Sequence, residues 1–328
     1  MKKTKKSAEY VSAGHPDKIC DQIADAILDE CLRQDKNSRV AVEVMGGHGK
    51  LYILGEITTK ADFVPEEIAK RVYKNIGYDD ELEIVAKIVR QSGNIAMGMD
   101  SGGAGDQGVM TGYATAENEA MLPNEIFLAR EILQKLPEGF GPDAKSQVVL
   151  DEEGEVDRVI LSAQHKSGAD FLPLNKLAES YKPKRGSYVN ATGAFEIGGF
   201  VADSGVTGRK IVVDNYGPRV PVGGGAFSGK DSSKVDRSGA YMARRIAVDF
   251  VKSGEASEVL VQIGYSIGVA KPVIATVLLD GERMVDLLSN KKYDLRPRVI
   301  EEFLDLRKPI YEKTAREGHF GKGFLWDR

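Results

Sequence analysis

The first strong hydrophobic pattern along the chain is helical and begins just after residue 15. Ile19, Ile23 and Ile27 recur at every fourth position with smaller apolar residues between them, which predicts a helix with one buried face. Pro16 suits the first turn of that helix, because the N–H that proline lacks would have no helical partner there. We therefore predict a long helix that begins at His15-Pro16.

Four aspartates repeat at every fourth position beside this apolar stripe: Asp17, Asp21, Asp25 and Asp29. Charged residues at helical spacing usually form the solvent-exposed face of a helix. We therefore expect Asp25 and Asp29 to be exposed. Asp17 differs from them, because it lies in the first turn beside a histidine and a lysine.

The rest of the chain alternates between strand-like and helix-like segments, which predicts an α/β or α+β fold. The predicted strands lie at 40–44, 51–57, 84–89, 146–150, 156–163 and 259–269, and the predicted helices at 65–76, 124–136, 236–252 and 297–306. We divide the chain into sections at 1–95, 103–198 and 199–328, with a short loop at 91–102 that is rich in Gly, Asn, Met and Ser.

Composition narrows the function classes. The apolar fraction of 42% and the charged fraction of 29% are those of an ordinary water-soluble protein, and a net charge of −4 argues against a broad nucleic-acid-binding surface. The sequence has no run of about eighteen apolar residues, and its basic start lacks an apolar signal core, so we expect neither a membrane span nor a secretory signal. Cys20 and Cys31 are the two cysteines and lack a redox motif, so a reducing cytoplasmic location is expected.

The segment 14–18 places an imidazole, a carboxylate and an ammonium group at a predicted helix start. Free N–H groups and the helix dipole favour anions at that position. Asp17 could there hold a Mg²⁺ ion that bridges phosphates. The alternative is that the segment only caps the helix.

Residues 103–108 match the G-x-G-x-x-G pattern of dinucleotide-binding loops. A dinucleotide-binding loop follows a strand and begins a helix, but the sequence before Gly103 has no strand pattern. We interpret the match as accidental and expect a tight turn that brings Asp106 close to a ligand.

Residues 203–210 form a turn that ends in two adjacent cations, Arg209 and Lys210, before the apolar residues 211–213. We expect a strand to begin here. Adjacent strand residues point to opposite faces, so that one cation would reach a phosphate and the other a neighbouring site. The alternative is a pair of solvated side chains.

Residues 224–230 match G-x-x-x-x-G-K, the pattern of a phosphate-binding P-loop, but Asp231 replaces the required Ser or Thr. Pro218 and Pro221 leave no clear strand in front of the segment. We predict a glycine-rich backbone surface that ends in Lys230, with a P-loop-like phosphotransferase as the alternative.

Together these segments supply cations and metal-capable carboxylates, without a nucleophile–base pair of the Ser–His or Cys–His kind. The cations are His15, Arg209, Lys210, Lys230 and Lys234, and the carboxylates are Asp17 and Asp236. This set suits a polyphosphate that is held by Lys, Arg and Mg²⁺.

The motifs resemble those of the S-adenosylmethionine synthetase family. Matching segments follow the family order at 14–23, 55–59, 103–108, 142–148, 205–214, 223–231, 234–238, 267–270 and 318–321. The resemblance implies three similar α/β subdomains around a pseudo-threefold axis, and a homodimer or tetramer with shared active sites. It implies an enzyme that joins L-methionine to ATP and then hydrolyses tripolyphosphate, with two Mg²⁺ ions per site and K⁺ as cofactors.

The resemblance also assigns site residues, including some that the patterns alone do not single out. The catalytic set would be His15, Lys145, Arg209, Lys210, Lys230 and Lys234, and the ATP site would add Glu9, Asp143, Phe195 and Asp203. The methionine site would contain Glu56, Gln91, Asp106, Asp203 and Lys234. The metal ligands would be Asp17 and Asp236 for Mg²⁺ and Glu43 for K⁺.

The chain departs from the family pattern in its loops. The 91–102 loop and the segment between His165 and Asn190 are shortened, Ala194 stands where the family often has Arg, and Val222 stands where a His often precedes the glycines. A non-catalytic regulatory subunit with the same fold is therefore a second alternative.

Overall fold

The structure, a computed structural model, describes residues 4–90, 103–289 and 292–328. Its strands are β1 (Lys6–Val11), β2 (Arg39–Gly47), β3 (Lys50–Thr58), β4 (Glu83–Val89), β5 (Gly108–Thr115), β6 (Phe140–Leu150), β7 (Val156–His165), β8 (Ser187–Val189), β9 (Gly205–Val206), β10 (Glu258–Tyr265), β11 (Ile274–Leu279) and β12 (Arg283–Asp286). Its helices are α1 (Pro16–Gln34), α2 (Pro65–Ile76), α3 (Asn124–Gln134), α4 (Leu172–Ser180), α5 (Gly199–Ala202), α6 (Ile211–Asp214), α7 (Val235–Lys252), α8 (Pro297–Phe303) and α9 (Tyr311–Glu317), followed by a 3₁₀ turn at Leu325–Asp327.

These elements form three four-stranded sheets, in the orders β4-β3-β2-β9, β1-β6-β7-β8 and β12-β11-β10-β5. The α/β class and the three sheet units are therefore confirmed. Each sheet also takes one strand from a different predicted section. The first section lends β1 to β6, the middle section lends β5 to β10, and the last section lends β9 to β2. The section boundaries themselves stay a prediction.

Helix α1 is buried on nearly all sides, with 16 of its 19 residues buried. It packs against α2, β2 and α9, and its isoleucines join a core that extends to the β5–β10–β11 sheet. A second, smaller core lies between α3, α4 and the β6–β7 pair. Among the described residues, no helix has the length and apolar character needed to cross a membrane.

The expectation that Asp25 and Asp29 are exposed was wrong, because both are buried. We call Asp17, Asp21, Asp25 and Asp29 the aspartate ladder. Their carboxylates accept backbone N–H bonds, in that order, from Val206, Gly208, Gly229 and the pair Tyr311 and Glu312, at 2.8–3.0 Å. A carboxylate is tolerated inside a protein when such donors replace water. The ladder therefore attaches α1 to successive loops of the last section.

The strand expected at 211–213 was also wrong, because these residues form the short helix α6. The three β-branched residues favour a strand, but Asp214 donates its N–H to the carbonyl of Lys210 at 2.8 Å and its side chain pairs with Lys18. Tertiary contacts override local preference here. The strand predicted at 259–269 ends at Tyr265, and helices α4 and α9 were not predicted.

Candidate active site

His15 and Asp17 lie at the start of α1, as expected. The Nδ1 atom of His15 accepts the Asp17 backbone N–H at 3.2 Å and caps the helix. Asp17 accepts the Val206 N–H on one carboxylate oxygen and pairs with Lys210 through the other. Arg209 lies 3.6 Å from the same carboxylate. The two cations therefore converge on Asp17, and the prediction that they point to opposite sites was wrong.

The environment of His15 keeps its imidazole neutral near pH 7. Burial and the positive charge of Lys210 lower the pKa of His15 from 6.5 to about 4, although Asp17 opposes this shift. A backbone N–H can only donate, so Nδ1 is the acceptor and Nε2 carries the proton in the neutral ring. The Nε2–H group is thus available to a ligand.

A buried ion-pair cluster fixes the segment that carries Arg209 and Lys210. The ammonium group of Lys18 lies 3.1 Å from Asp21 and 2.6 Å from Asp214, and all three side chains are buried. Burial raises the pKa of Asp214 to about 6, although the charge of Lys18 opposes this shift. Lys18, which the sequence offered as a cation at the helix start, is thus a structural residue.

A second set of candidate site residues lies on and near strands β1 and β6. Lys145 pairs with Glu9 across these strands at 2.6 Å, and both side chains are about half exposed. Asp143 accepts the Gly199 N–H at 3.1 Å, and burial raises the pKa of its carboxyl to about 6. Gly14 lets the two parts meet, because a Cβ atom at that position would lie 2.5 Å from the Pro142 backbone.

Phe195 and Asp203 complete the group. The backbone of Phe195 is bonded to His165, at the end of β7. Asp203 is exposed and accepts the N–H of Ser204 at 2.7 Å. We call the residues Glu9, His15, Asp17, Asp143, Lys145, Phe195, Asp203, Arg209 and Lys210 the His15 group.

The glycine-rich segment and the start of α7 form a second group around Lys230. One carboxylate oxygen of Asp236 accepts the Gly225 N–H at 2.7 Å, and the other pairs with Lys230 at 2.8 Å. Lys234 pairs with Asp231. Partial burial raises the pKa of Glu43, on β2, and the charge of Lys230 opposes this shift.

This segment is not a P-loop. Asp231 occupies the position of the Ser or Thr that would bind Mg²⁺, but it is buried and accepts the Val40 N–H at 2.6 Å. Helix α7 begins only at Val235. The geometry therefore argues against the phosphotransferase alternative.

The dinucleotide-loop match is confirmed as accidental, because residues 103–108 lead into strand β5 instead of a helix. Asp106 is exposed in the turn and accepts the Gln107 N–H at 2.7 Å. Glu56 lies half-buried on β3. Among the described residues, no hydrogen bond or ion pair joins Glu56 or Asp106 to Lys230. For the assignments below, we call Glu43, Glu56, Asp106, Lys230, Lys234 and Asp236 the Lys230 group. Gln91 and the 91–102 loop lie outside the described residues.

The loop that carries Arg209 and Lys210 is a neighbour of the glycine-rich segment that carries Lys230, because Gly208 lies against Ala226. Within the described parts of the chain, no hydrogen bond or ion pair joins a side chain of one group to a side chain of the other. Nor do three or more His, Cys, Asp or Glu side chains in those parts cluster in a way that could hold a metal ion. Asp17 and Asp236 are separate carboxylates. That donor set fits Mg²⁺ held jointly with substrate phosphates, as Mg²⁺ is commonly bound.

Comparison with known families shows which family the chain belongs to. The N-terminal, central and C-terminal domains of S-adenosylmethionine synthetase match residues 3–96, 101–184 and 197–328. The chain belongs to the S-adenosylmethionine synthetase family. The resemblance drawn from its motifs is confirmed, and the family implies metal-dependent use of ATP.

Two curated relatives agree with this assignment. The chain is 41% identical over 378 residues to S-adenosylmethionine synthase of Brachyspira hyodysenteriae, covering 98% of this chain and 95% of the relative. It is also 41% identical over 368 residues to S-adenosylmethionine synthase 2 of Rhodospirillum rubrum, with the same coverage.

Sequence reasoning missed the buried polar residues that hold the site, namely Lys18, Asp25, His165, Asp214 and Arg237. One signal was present. Between Ile19 and Leu28, every position except the aspartates and Gln22 is apolar. This pattern implies burial on more than one face of the helix, which requires partners for the aspartates.

Proposed function

We propose that the protein joins the sulfur of L-methionine to C5′ of ATP, and then hydrolyses the released tripolyphosphate to phosphate and diphosphate. The observation that carries this proposal is a repeated arrangement in both groups. Asp17 and Asp236 are each held by a backbone N–H on one oxygen and by a lysine on the other. A polyphosphate could draw both lysines away and leave the carboxylates free for cations.

The chemistry requires no catalytic base, because a thioether sulfur has no proton to lose. It requires alignment of the sulfur, the carbon and the leaving oxygen, and stabilisation of the charge that collects on the triphosphate. A neutral His15 with its proton on Nε2 can donate to that leaving oxygen. This explains a site with many cations and no nucleophile–base pair.

The triphosphate would be held by Lys145, Arg209, Lys210, Lys230 and Lys234. All five have a carboxylate within ion-pair distance, and Arg209 is 54% exposed. Charge-assisted bonds to phosphate oxygens are about twice as strong as neutral ones. The lysines therefore gain by exchanging a carboxylate for a more highly charged partner.

We assign Asp17 and Asp236 to two Mg²⁺ ions and Glu43 to K⁺. Bound Mg²⁺ would neutralise phosphate charge. The protein's part is to present the two carboxylates in fixed positions, which the N–H bonds from Val206 and Gly225 achieve.

The remaining assignments concern the two substrates. The nucleoside of ATP would contact Glu9, Asp143, Phe195 and Asp203, and methionine would contact Glu56, Gln91, Asp106, Asp203 and Lys234. A raised pKa for Asp143, to about 6, fits a carboxyl group that is withdrawn from water inside a binding pocket.

We further propose a homodimer, or a tetramer built from it, with shared active sites. One face of the β2–β3–β4 sheet exposes five large apolar residues: Met45, Tyr52, Leu54, Val85 and Val89. Strand register places Glu43 opposite Leu54, and Glu56 opposite Val89, on that same face. A partner that covers the apolar face would therefore enclose two residues of the Lys230 group.

A cytoplasmic location is part of the same proposal. Cys20 and Cys31 are both buried and free of disulfides, which fits a reducing compartment.

One assay tests the proposed reaction. The isolated protein is incubated with ATP, methionine, Mg²⁺ and K⁺, and the products are identified by mass spectrometry. A sulfonium adduct of methionine and adenosine, with phosphate and diphosphate, is expected. Phosphate on an acceptor would instead favour a phosphotransferase, and no turnover would favour a regulatory subunit. Full turnover in excess EDTA would remove Asp17 and Asp236 from the metal site.

A further inference from the structure

His165 lies at the end of β7, is only 5% exposed, and has no role in the assignments above. Its ring packs edge-on against Phe171, with ring centroids 4.8 Å apart, and tilted against Phe140 at 6.4 Å. These contacts fix the plane of the imidazole. A buried ring that is held in this way can serve as a rigid hydrogen-bonding group.

Two hydrogen bonds join His165 to the backbone of Phe195. The backbone N–H of His165 donates to the Phe195 carbonyl at 2.9 Å, and the backbone N–H of Phe195 donates to the ring atom Nε2 of His165 at 2.9 Å. The Nδ1 atom lies 2.8 Å from the carbonyl of Lys166, which can only accept. The proton is therefore on Nδ1, and the lone pair of Nε2 is committed to Phe195.

The segment around Phe195 has little other support. Residues 191–194 are exposed and lie outside helix and strand. In the part of the chain that the structure describes, both hydrogen bonds to the Phe195 backbone come from His165. Its neighbour Glu196 is held through its carbonyl by Gln164 at 3.3 Å. The orientation of Phe195 thus depends on one residue, His165, which holds it through both its buried side chain and its backbone.

We infer that His165 is a positioning residue that holds Phe195 in place for the purine ring of ATP. This inference rests on the proposed function, in which Phe195 lines the nucleoside pocket. A planar base gains from an aromatic ring only when the two faces are aligned at contact distance. His165 itself does not touch the nucleotide, so its loss should weaken ATP binding without changing the chemistry at the triphosphate.

Two variants remove the hydrogen bond between the Phe195 N–H and the His165 side chain in different ways. His165→Phe keeps an aromatic ring of similar size but offers no acceptor, and His165→Asn keeps polarity but is too short to reach the Phe195 N–H. Both should raise the KM for ATP about tenfold, the effect of leaving one such donor unpaired. His165→Gln, whose amide oxygen can accept, should recover part of the loss. Phe171→Leu perturbs the same aromatic cluster without touching the bond and is the matched control.

Hydrolysis of added tripolyphosphate distinguishes a positioning role from a general structural defect, because a structural defect would slow this half-reaction as well. That half-reaction uses the cations but no purine ring. For the His165 variants, we expect the kcat and KM of tripolyphosphate hydrolysis to stay within about twofold of wild type, because the lost bond lies away from the phosphates. The KM for methionine should also stay within about twofold. A parallel loss in both half-reactions, or an unchanged KM for ATP, would overturn the inference.

A double-mutant cycle tests whether His165 acts through Phe195. In a Phe195→Ala background the ring to be positioned is absent, so adding His165→Phe should change the KM for ATP by less than about twofold. Additive effects would show that His165 acts elsewhere, and would refute the inference. Failure of the proposed function is separately visible, because the wild-type protein would then form no sulfonium product.

Discussion

Arg237 and Asp25 form a two-pronged ion pair in which both side chains are completely buried. The two terminal nitrogens of the guanidinium group lie 2.8 and 2.6 Å from the two carboxylate oxygens. The pair joins α7 to the middle of α1. Among the described residues, it is the only rung of the aspartate ladder whose arginine partner is buried, because Arg209, which lies 3.6 Å from Asp17, is 54% exposed.

This pair also fixes the backbone on both sides of the Gly229–Lys230 peptide. Asp25 accepts the Gly229 N–H at 2.8 Å, and Arg237 donates to the Lys230 carbonyl at 2.9 Å. The cation that the proposed function places on the triphosphate is thus held by two residues that never reach the ligand.

Replacing Arg237 by leucine should lower the free energy of unfolding by about 3–5 kcal/mol, because it leaves a buried carboxylate without its counter-ion. Urea denaturation at a fixed protein concentration would measure the change. The double variant Asp25→Leu/Arg237→Met should recover much of the loss, since neither charge then remains buried.

Arg245→Leu is the matched control for this experiment. Arg245 lies on the same helix and pairs with Asp249 at 2.9 Å, but the pair is partly exposed. Its loss should cost no more than about 1 kcal/mol. An Arg237 variant as stable as the Arg245 variant would contradict the importance that we give to the buried pair.

Lys230→Ala should slow synthesis by roughly 10²–10³-fold, the cost of losing one preorganised donor to developing charge. His15→Asn should have an effect of the same order. Single-turnover kinetics with saturating substrates would measure both. Lys135→Ala, which removes an exposed lysine paired with Glu131, is the control and should leave the rate unchanged. Activity within a few-fold of wild type would refute the assigned role.

The sequence predicted the elements of this site better than it predicted their support. The α1 stripe, the β2–β3 pair and the start of α7 follow local periodicity, and the structure has them within a few residues. The burial of Asp25 depends on Arg237, 212 positions away, and no local pattern contains that information. The same holds for α6, where the pairing of Asp214 with Lys18 outweighs the strand preference of residues 211–213.

The ring of His15 should titrate far below the usual range for histidine. Its pKa is lowered from 6.5 to about 4 by burial and by Lys210, so the ligand-free protein should carry a neutral His15 at pH 7. Between these two values the unfolded chain binds more protons, so the stability due to His15 is present above pH 6.5 and is lost as the pH falls through about 4.

Proton NMR of the imidazole C2 resonance, assigned by comparison with His15→Asn, would measure the midpoint. A midpoint near 6.5 would contradict the lowering of the His15 pKa by burial and Lys210. A midpoint well above 7 would contradict the neutral donor that the proposed mechanism uses.

Glu43→Gln should abolish the stimulation of synthesis by K⁺ and leave the requirement for Mg²⁺ intact. The variant removes the negative charge from a side chain that already lies near the positive charge of Lys230. Initial rates in KCl and in tetramethylammonium chloride of equal ionic strength would measure the ratio. An undiminished K⁺ effect in the variant would remove Glu43 from the proposed potassium site.

Two inactive variants should restore each other if the active sites are shared between subunits. The His15 group and the Lys230 group have no side-chain hydrogen bond or ion pair between them in the described residues, so each group can complete a site with the partner. In a co-expressed mixture of His15→Asn and Lys230→Ala, about half of the dimers would be mixed, and each mixed dimer would contain one intact site. We therefore expect about one quarter of wild-type activity.

The control adds Val85→Glu to both variants. Val85 is 43% exposed on the apolar sheet face, and a charge there should prevent the subunits from associating. Analytical ultracentrifugation would show whether the proteins are monomeric, and circular dichroism would show whether they stay folded. Recovery of activity in the first mixture and its absence in the second would require that the cations of one subunit work with His15 of the other. Without any recovery in co-expressed dimers, both groups must serve a site within one chain, and the apolar face would need another explanation.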